Sequence, residues 1–300
     1  MLAEFGLEPG RCRVLRNAAG PPFARLFSDA REAARAKTWP PVLAYTSTPF
    51  RGLDLLLDIF PVVRQAIPGT QLEVFSSMQV YRLSAADDMA QYGPLYRRCL
   101  ETDGVEYIGS LPQPELAAAL TPATLLAYPN HFADTSCIAV MEALAAGLRV
   151  VTSDLGALPE TAAGLASLVR VDGDWTAYRE RFAREVIRVL ELIRAEPAAA
   201  EAHLASQLEL VRREYNWAHR AREWEAWLSK LYRSTSAGSG KRESQPIKIR
   251  NMIWPFCIAL AAPTNRRSGR GQTVFGRQAD SPVARAGTDT GPACDWRPSS

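Results

Sequence analysis

Two acidic side chains eight residues apart, Asp134 and Glu142, have the setting in this sequence that points most directly to chemistry. They lie in Tyr128-Pro-Asn-His-Phe-Ala-Asp-Thr-Ser-Cys-Ile-Ala-Val-Met-Glu-Ala-Leu-Ala-Ala-Gly147, a loop feeding an apolar helical segment that Gly147 can close in a left-handed conformation. An ionised carboxylate only accepts hydrogen bonds, so a pair spaced this way can hold sugar hydroxyls at two points of one ligand without acting as acid or base. If most of the interval is helical, Glu142 stands about two turns into the helix. A helix start near Thr135, Ser136 and Cys137 offers unpaired backbone N–H groups at the positive end of the dipole, a setting for phosphate. The plainer alternative is a pair of solvated or helix-capping carboxylates, with Cys137 a small packed residue rather than a nucleophile.

Arg51 is the second candidate. It opens the amphipathic run Arg51–Ile67, where a cation at a helix N-terminus opposes the dipole and calls for a compensating anion. A bound phosphate is one such anion. Asp54 on the same helix is the other, in a pair contributing a few tenths of a kcal/mol. Other familiar chemistry is absent. No GxGxxG follows a strand, and Gly238-Ser-Gly-Lys241 lacks the first glycine and the Ser/Thr of a phosphate loop, which argues against a nicotinamide dehydrogenase or P-loop kinase. His131, His203 and His219 are scattered and give little support to a metal site. Asp172-Gly-Asp174 has the DxD form of some metal-dependent transferases, but between a strand and a helix it reads as a turn with Asp174 as helix cap.

The elements that must position these residues alternate short apolar runs with longer amphipathic ones, the pattern of βαβ units and a parallel sheet. Strands are expected at 42–45, 72–75, 105–108, 125–128, 148–152 and 165–171, with helices at 51–67, 88–100 and 113–120 between them. The fold class is α/β, a Rossmann-like six-stranded parallel sheet. After Asp174 come three helices near 175–193, 198–215 and 217–231. On the last, Trp217, Trp224, Trp227, Leu228 and Leu231 share one face, either as ordinary core packing or as a surface for another domain or a second copy.

From Ser234 the periodicity is lost to Ser, Gly, Arg and Pro, and the stretch is expected to be disordered. From Ala237 it carries ten Lys/Arg and four acids, a tail of +6 on a body of −3. The body's charge is too small and mixed to draw it onto nucleic acid or acidic lipid. Five dispersed cysteines without a CxxC pair fit a reducing compartment, and the chain reads as cytoplasmic. No apolar run reaches the roughly 20 residues of a membrane span.

Three blocks carry a family resemblance. The first is Asp134-x7-Glu142 with Ala143-Leu-Ala-Ala-Gly-Leu-Arg-Val-Val151 and Ser153-Asp-Leu-Gly-Ala-Leu-Pro-Glu160. The others are Ala44-Tyr-Thr-Ser-Thr-Pro-Phe-Arg51-Gly52-Leu-Asp-Leu-Leu-Leu57 and Tyr107-Ile-Gly-Ser-Leu111. Together they resemble the donor half of retaining nucleotide-sugar glycosyltransferases of the B-type fold, family 4 and the group 1 domain, over about residues 10–232.

The resemblance implies metal-independent transfer of a sugar from a UDP- or GDP-type donor, with no further cofactor, to an acceptor it does not identify. It places Glu142 on the ribose hydroxyls and Asp134 on those of the transferred sugar. The N–H groups of Thr135, Ser136 and Cys137 would meet sugar and diphosphate, and Arg51 would neutralise the leaving diphosphate. Tyr107–Leu111 would border the nucleobase.

The chain departs from the pattern in having Asp134 where the family usually has Glu, and Tyr45-Thr46 for its Gly-Arg, leaving Ser47 and Thr48 to substitute through hydroxyls and N–H groups. Only about forty residues precede the first strand, and Val14-Leu-Arg-Asn17 with Pro21-Pro-Phe23 resembles the interdomain connection. The expected organisation is residues 1–40 as a remnant of that connection, 41–233 as donor-binding domain and 234–300 as a disordered basic tail. An acceptor-binding half would be encoded separately. A non-catalytic nucleotide-sugar-binding fragment, or an interaction module lacking the acceptor domain, is the alternative.

Overall fold

The segment Leu125–Tyr128 is apolar throughout, and a strand of that kind is stable only with both faces covered. In the computed structural model, which describes residues 12–236 and side chains as far as 233, it is buried along its whole length near the middle of a six-stranded parallel sheet. The strands are β1 (Val42–Tyr45), β2 (Gln71–Val74), β3 (Val105–Tyr107), β4 (Leu125–Tyr128), β5 (Arg149–Ser153) and β6 (Ala166–Val169), in the order β3-β2-β1-β4-β5-β6. In register, Leu43 lies beside Leu72 on one side and Leu125 on the other.

The helices are α1 (Ala30–Ala36), α2 (Leu53–Ala66), α3 (Ala85–Glu101), α4 (Gln113–Leu120), α5 (Ile138–Ala145), α6 (Leu158–Ala162), α7 (Trp175–Ala195), α8 (Pro197–Glu214) and α9 (Trp217–Ser236). On α2, Leu53, Leu56, Leu57, Phe60 and Val63 recur at helical spacing and are all buried. Right-handed crossovers send α2 and α3 to one face of the sheet and α5 and α6 to the other. Accordingly α2 packs on α3 and α7, while α8 packs on α1 and α5. Burying each large aliphatic side chain of this core stabilises it by about 1.5–3 kcal/mol.

All six strands lie within two residues of their expected bounds, and α4 matches them. Helices α1 and α6 are additions. Both are short, and α1, Ala-rich with Asp29 capping it through the Glu32 N–H, has no apolar stripe to announce it. Asp174 caps α7 by accepting from the Thr176 and Ala177 N–H groups, as the turn reading of Asp172-Gly-Asp174 expects.

Residues before β1 pack on the body. Phe23 is buried in the main core, and Phe27 joins Ala33, Leu204 and Leu208 in a second cluster. On α9 the tryptophan stripe is half-buried, with Trp224 and Trp227 edge to face at 6.2 Å and Leu231 exposed. Buried Arg220 pins the α8–α9 junction through ion pairs to Glu214 and Glu223. The basic stretch beyond Ser236 lies outside the described residues. Among those described, no helix is long and apolar enough to cross a membrane.

Candidate active site

The strand order reverses between β1 and β4, and in open parallel sheets the crevice beyond the carboxyl ends of such a strand pair binds ligands. The loops leaving those ends carry Ser47–Arg51 and Pro129–Cys137. Their close approach depends on Gly52, at φ +98°, where a Cβ would lie 2.1 Å from the Pro129 carbonyl oxygen. Gly156 does the same for the loop after β5: a Cβ there would meet the Asp134 carbonyl oxygen at 2.5 Å, an oxygen that accepts from the Ala157 N–H at 2.7 Å.

Asp134 is held from three sides and is only 5% exposed. Arg51 Nη1 lies 2.7 Å from Oδ1, while Oδ2 accepts from the Tyr128 hydroxyl at 2.9 Å and from Asn130 Nδ2 at 3.2 Å. The guanidinium stands over the rings of Phe50 and Phe132, 5.4 and 4.9 Å from their centroids, and Nη2 donates to the Tyr81 hydroxyl at 3.3 Å. Burial works most strongly against the Arg51 charge, but Asp134 together with the Tyr128 and Tyr81 hydroxyls outweighs it and holds the guanidinium above its ordinary value. Burial also pushes the Tyr128 phenol up, so it donates as a neutral hydroxyl.

Ser47 Oγ lies 3.3 Å from that hydroxyl, and the Thr48 carbonyl accepts from Tyr45 Oη at 2.7 Å and from the Arg51 N–H at 3.2 Å. In the same loop Thr46 Oγ1, Thr48 Oγ1 and Arg51 Nε are buried with no hydrogen-bond partner among the described residues, the kind of polar atom that folded proteins seldom leave unsatisfied.

Asp54 on α2, the alternative to a phosphate as counter-ion for Arg51, is not its partner. Arg51 pairs with Asp134 across the crevice, and Asp54 lies 3.8 Å from His131, a neighbour that holds the Asp54 carboxyl below its usual range. Helix α5 also begins later than expected. Cys137 is its N-cap and Ile138 its first residue, so Glu142 stands about one turn in, not two. The intervening residues form a tight loop instead, in which Asn130 Oδ1 accepts from the Phe132 N–H at 2.9 Å and the Asp134 N–H donates to the Phe132 carbonyl at 2.9 Å. Thr135 is exposed, Ser136 half-buried and Cys137 buried at the mouth of α5. Burial, then the Asp134 charge, pushes the Cys137 thiol up to about 12, which makes it a packed thiol and a poor nucleophile.

Glu142 is as buried as Asp134, at 4% exposure, but has no cationic partner among the described residues. Its Oε1 accepts from Gln113 Nε2 at 2.7 Å and from the Gly20 N–H at 3.4 Å. Desolvation raises its carboxyl above the usual range, with these two neutral donors acting in the opposite direction. At the sheet edge Tyr107 does not stand open. Its ring stacks on Tyr96 at 4.6 Å and its hydroxyl donates to the Ser76 carbonyl at 2.9 Å.

The fold thus joins Ser47, Thr48, Arg51 and Asp134 in one cluster, at the mouth of α5 that Thr135–Cys137 form, and sets Glu142 one turn behind. Sequence reasoning gave no role to Tyr128, Asn130, Phe50, Phe132 or Tyr81, nor to Gln113 and Gly20. Tyr128 and Asn130 stood in the quoted run as polar groups at the end of an apolar strand, a signal that could have been used. Gln113 and Gly20, 29 and 122 positions from Glu142, gave none.

Residues 40–191 match the family described as glycosyl transferases group 1. The chain belongs to that family. Among curated relatives, D-inositol 3-phosphate glycosyltransferase of Segniliparus rotundus is 33% identical over 158 residues, which are 52% of this chain and 33% of the relative. Among solved structures, the chain is similar to sucrose-phosphate synthase from Thermosynechococcus elongatus, with TM-score 0.56, 22% identity and coverage of 79% of this chain and 56% of that one. A glycosyltransferase from Rickettsia africae gives 0.57, 10%, 77% and 60%, and Anabaena HepE, solved with UDP-glucose, gives 0.53, 14%, 76% and 60%. At these identities the structures establish the α/β fold. The glycosyl transferases group 1 chain spans about a third of the curated relative it matches.

Proposed function

We propose that the crevice between β1 and β4 is the donor site of a retaining, metal-independent nucleotide-sugar glycosyltransferase. The observation that carries this reading is the convergence of the Arg51 guanidinium, the buried unsatisfied polar atoms Thr46 Oγ1, Thr48 Oγ1 and Arg51 Nε, and the mouth of α5 on one crevice. A diphosphate bound there would meet a cation, hydroxyls and the free N–H groups of a helix start.

In this reading Arg51 stabilises the negative charge that gathers on the diphosphate as the bond to the sugar breaks, a preorganised contribution that a water-poor crevice strengthens. Ser47, Thr48 and the backbone of Thr135, Ser136 and Cys137 position the phosphates. Asp134 meets hydroxyls of the transferred sugar, and Glu142, with both protein donors on Oε1, offers Oε2 to the ribose. HepE supports a UDP-type donor through the UDP-glucose bound in its structure and through the shared fold. The three cysteines among the described residues are free thiols, which fits a cytoplasmic setting.

Calorimetry with UDP and GDP tests the reading. One of them should bind, and Arg51→Ala should weaken it about a hundredfold, the scale of losing one preorganised charge contact. Absence of binding by both nucleotides, or undiminished binding by the variant, would overturn it.

A further inference from the structure

The cation of the crevice is already taken. Arg51 Nη1 sits 2.7 Å from Asp134 Oδ1, with only 19% of the arginine side chain and 5% of the aspartate side chain exposed. Two further donors, Tyr128 Oη and Asn130 Nδ2, hold Asp134 in that position through Oδ2. The rings of Phe50 and Phe132 and the Tyr81 hydroxyl hold the guanidinium from its side. Such a crevice is nearly neutral toward an arriving diphosphate.

We infer that the Arg51–Asp134 pair is a latch that discriminates between a nucleotide sugar and a free diphosphate. A diphosphate that draws Arg51 to itself strands a buried carboxylate, and removing one partner of a buried pair is costly. A sugar diphosphate offers an exchange: its phosphates take Arg51 while a hydroxyl of its sugar donates to the freed Oδ1 of Asp134. Both halves of the broken pair then have new partners only when the sugar is attached. Asp134 is thus a specificity-determining residue that acts against the free diphosphate, so the spent nucleotide binds more weakly than the intact donor. The inference rests on the diphosphate reading of this site.

Inorganic pyrophosphate is the direct probe, with UDP and UDP-glucose, then GDP and GDP-mannose, as the sugar-free and sugar-bearing pairs. Asp134→Asn should bind pyrophosphate about tenfold more tightly than the wild type, and the preference for the nucleotide sugar over its nucleoside diphosphate should fall by a similar factor. In an Arg51→Gln background, followed by NMR at millimolar pyrophosphate, the same substitution should change affinity by less than about twofold, because the latch acts only through Arg51. An undiminished gain there would mean that Asp134 repels phosphate directly, and would overturn the inference.

Wild-type protein crystallised with pyrophosphate makes the inference testable even if Asp134→Asn does not fold. The Arg51–Asp134 pair should be open, and a pair still closed at 2.7 Å with pyrophosphate bound would overturn it. Wild type that binds a nucleotide while Asp134→Asn binds pyrophosphate no better defeats the latch and leaves the donor site standing. Binding of no probe by any variant defeats the donor site itself, and the latch with it.

Discussion

Asp134 and Glu142 are carboxylates of similar burial on one loop-helix unit, and the protein treats them in opposite ways. Asp134 faces a guanidinium, a phenol and an amide, so its charge is compensated inside the protein. Glu142 faces an amide and a backbone N–H, both neutral, and burial raises its carboxyl above the usual range. The difference shows that what a buried acid can do is set less by its depth than by whether a cation shares that depth. At the mouth the acid is a counter-ion. One helical turn deeper it is an acceptor held in place at the expense of stability.

Three substitutions would break or sharpen that contrast. The largest effect is expected at the compensated site, where Asp134→Ala leaves Arg51 partly buried and unpaired and should cost about 3 kcal/mol in urea unfolding. A loss below about 1 kcal/mol would class the pair with exposed ion pairs. Tyr128→Phe removes one donor to Asp134 and should cost about 1.5 kcal/mol, without altering the pH dependence contributed by Glu142.

The smallest change carries the sign that separates the two sites. Glu142→Gln should stabilise the protein at neutral pH, by at most about 1 kcal/mol, whereas removing the charge at Asp134 destabilises it. The raised Glu142 carboxyl holds its proton more tightly in the folded state than in the unfolded chain. Wild type should therefore lose stability, relative to Glu142→Gln, as pH rises through the window just above 4.5, the carboxyl's ordinary value. A Tm difference that stays flat across that window would mean the Glu142 charge is compensated after all.

Much of the site was legible from residue type and place. Leu125–Tyr128 is too apolar to be anything but a covered strand, and Asp134 and Glu142 follow it at the edge where parallel sheets bind ligands. The start of α5 was misplaced because the Asn130 turn, which consumes residues that would otherwise begin the helix, is a matter of side-chain bonds to nearby backbone and not of hydrophobic period. Asp54, which the sequence offered as the alternative to a phosphate on Arg51, fails as its partner for a different reason. Asp54 is near in sequence, but the bond goes to a residue 83 positions away that two glycine-permitted close approaches bring into reach.

Periodicity and composition determined the strands, most of the helices and the placement of the candidate acids and cation at one edge of the sheet, because those properties are local and repeat along the chain. Only the folded structure decided which charges meet. Ion pairing depends on distances of a few ångströms between segments far apart in sequence, and no local pattern encodes them.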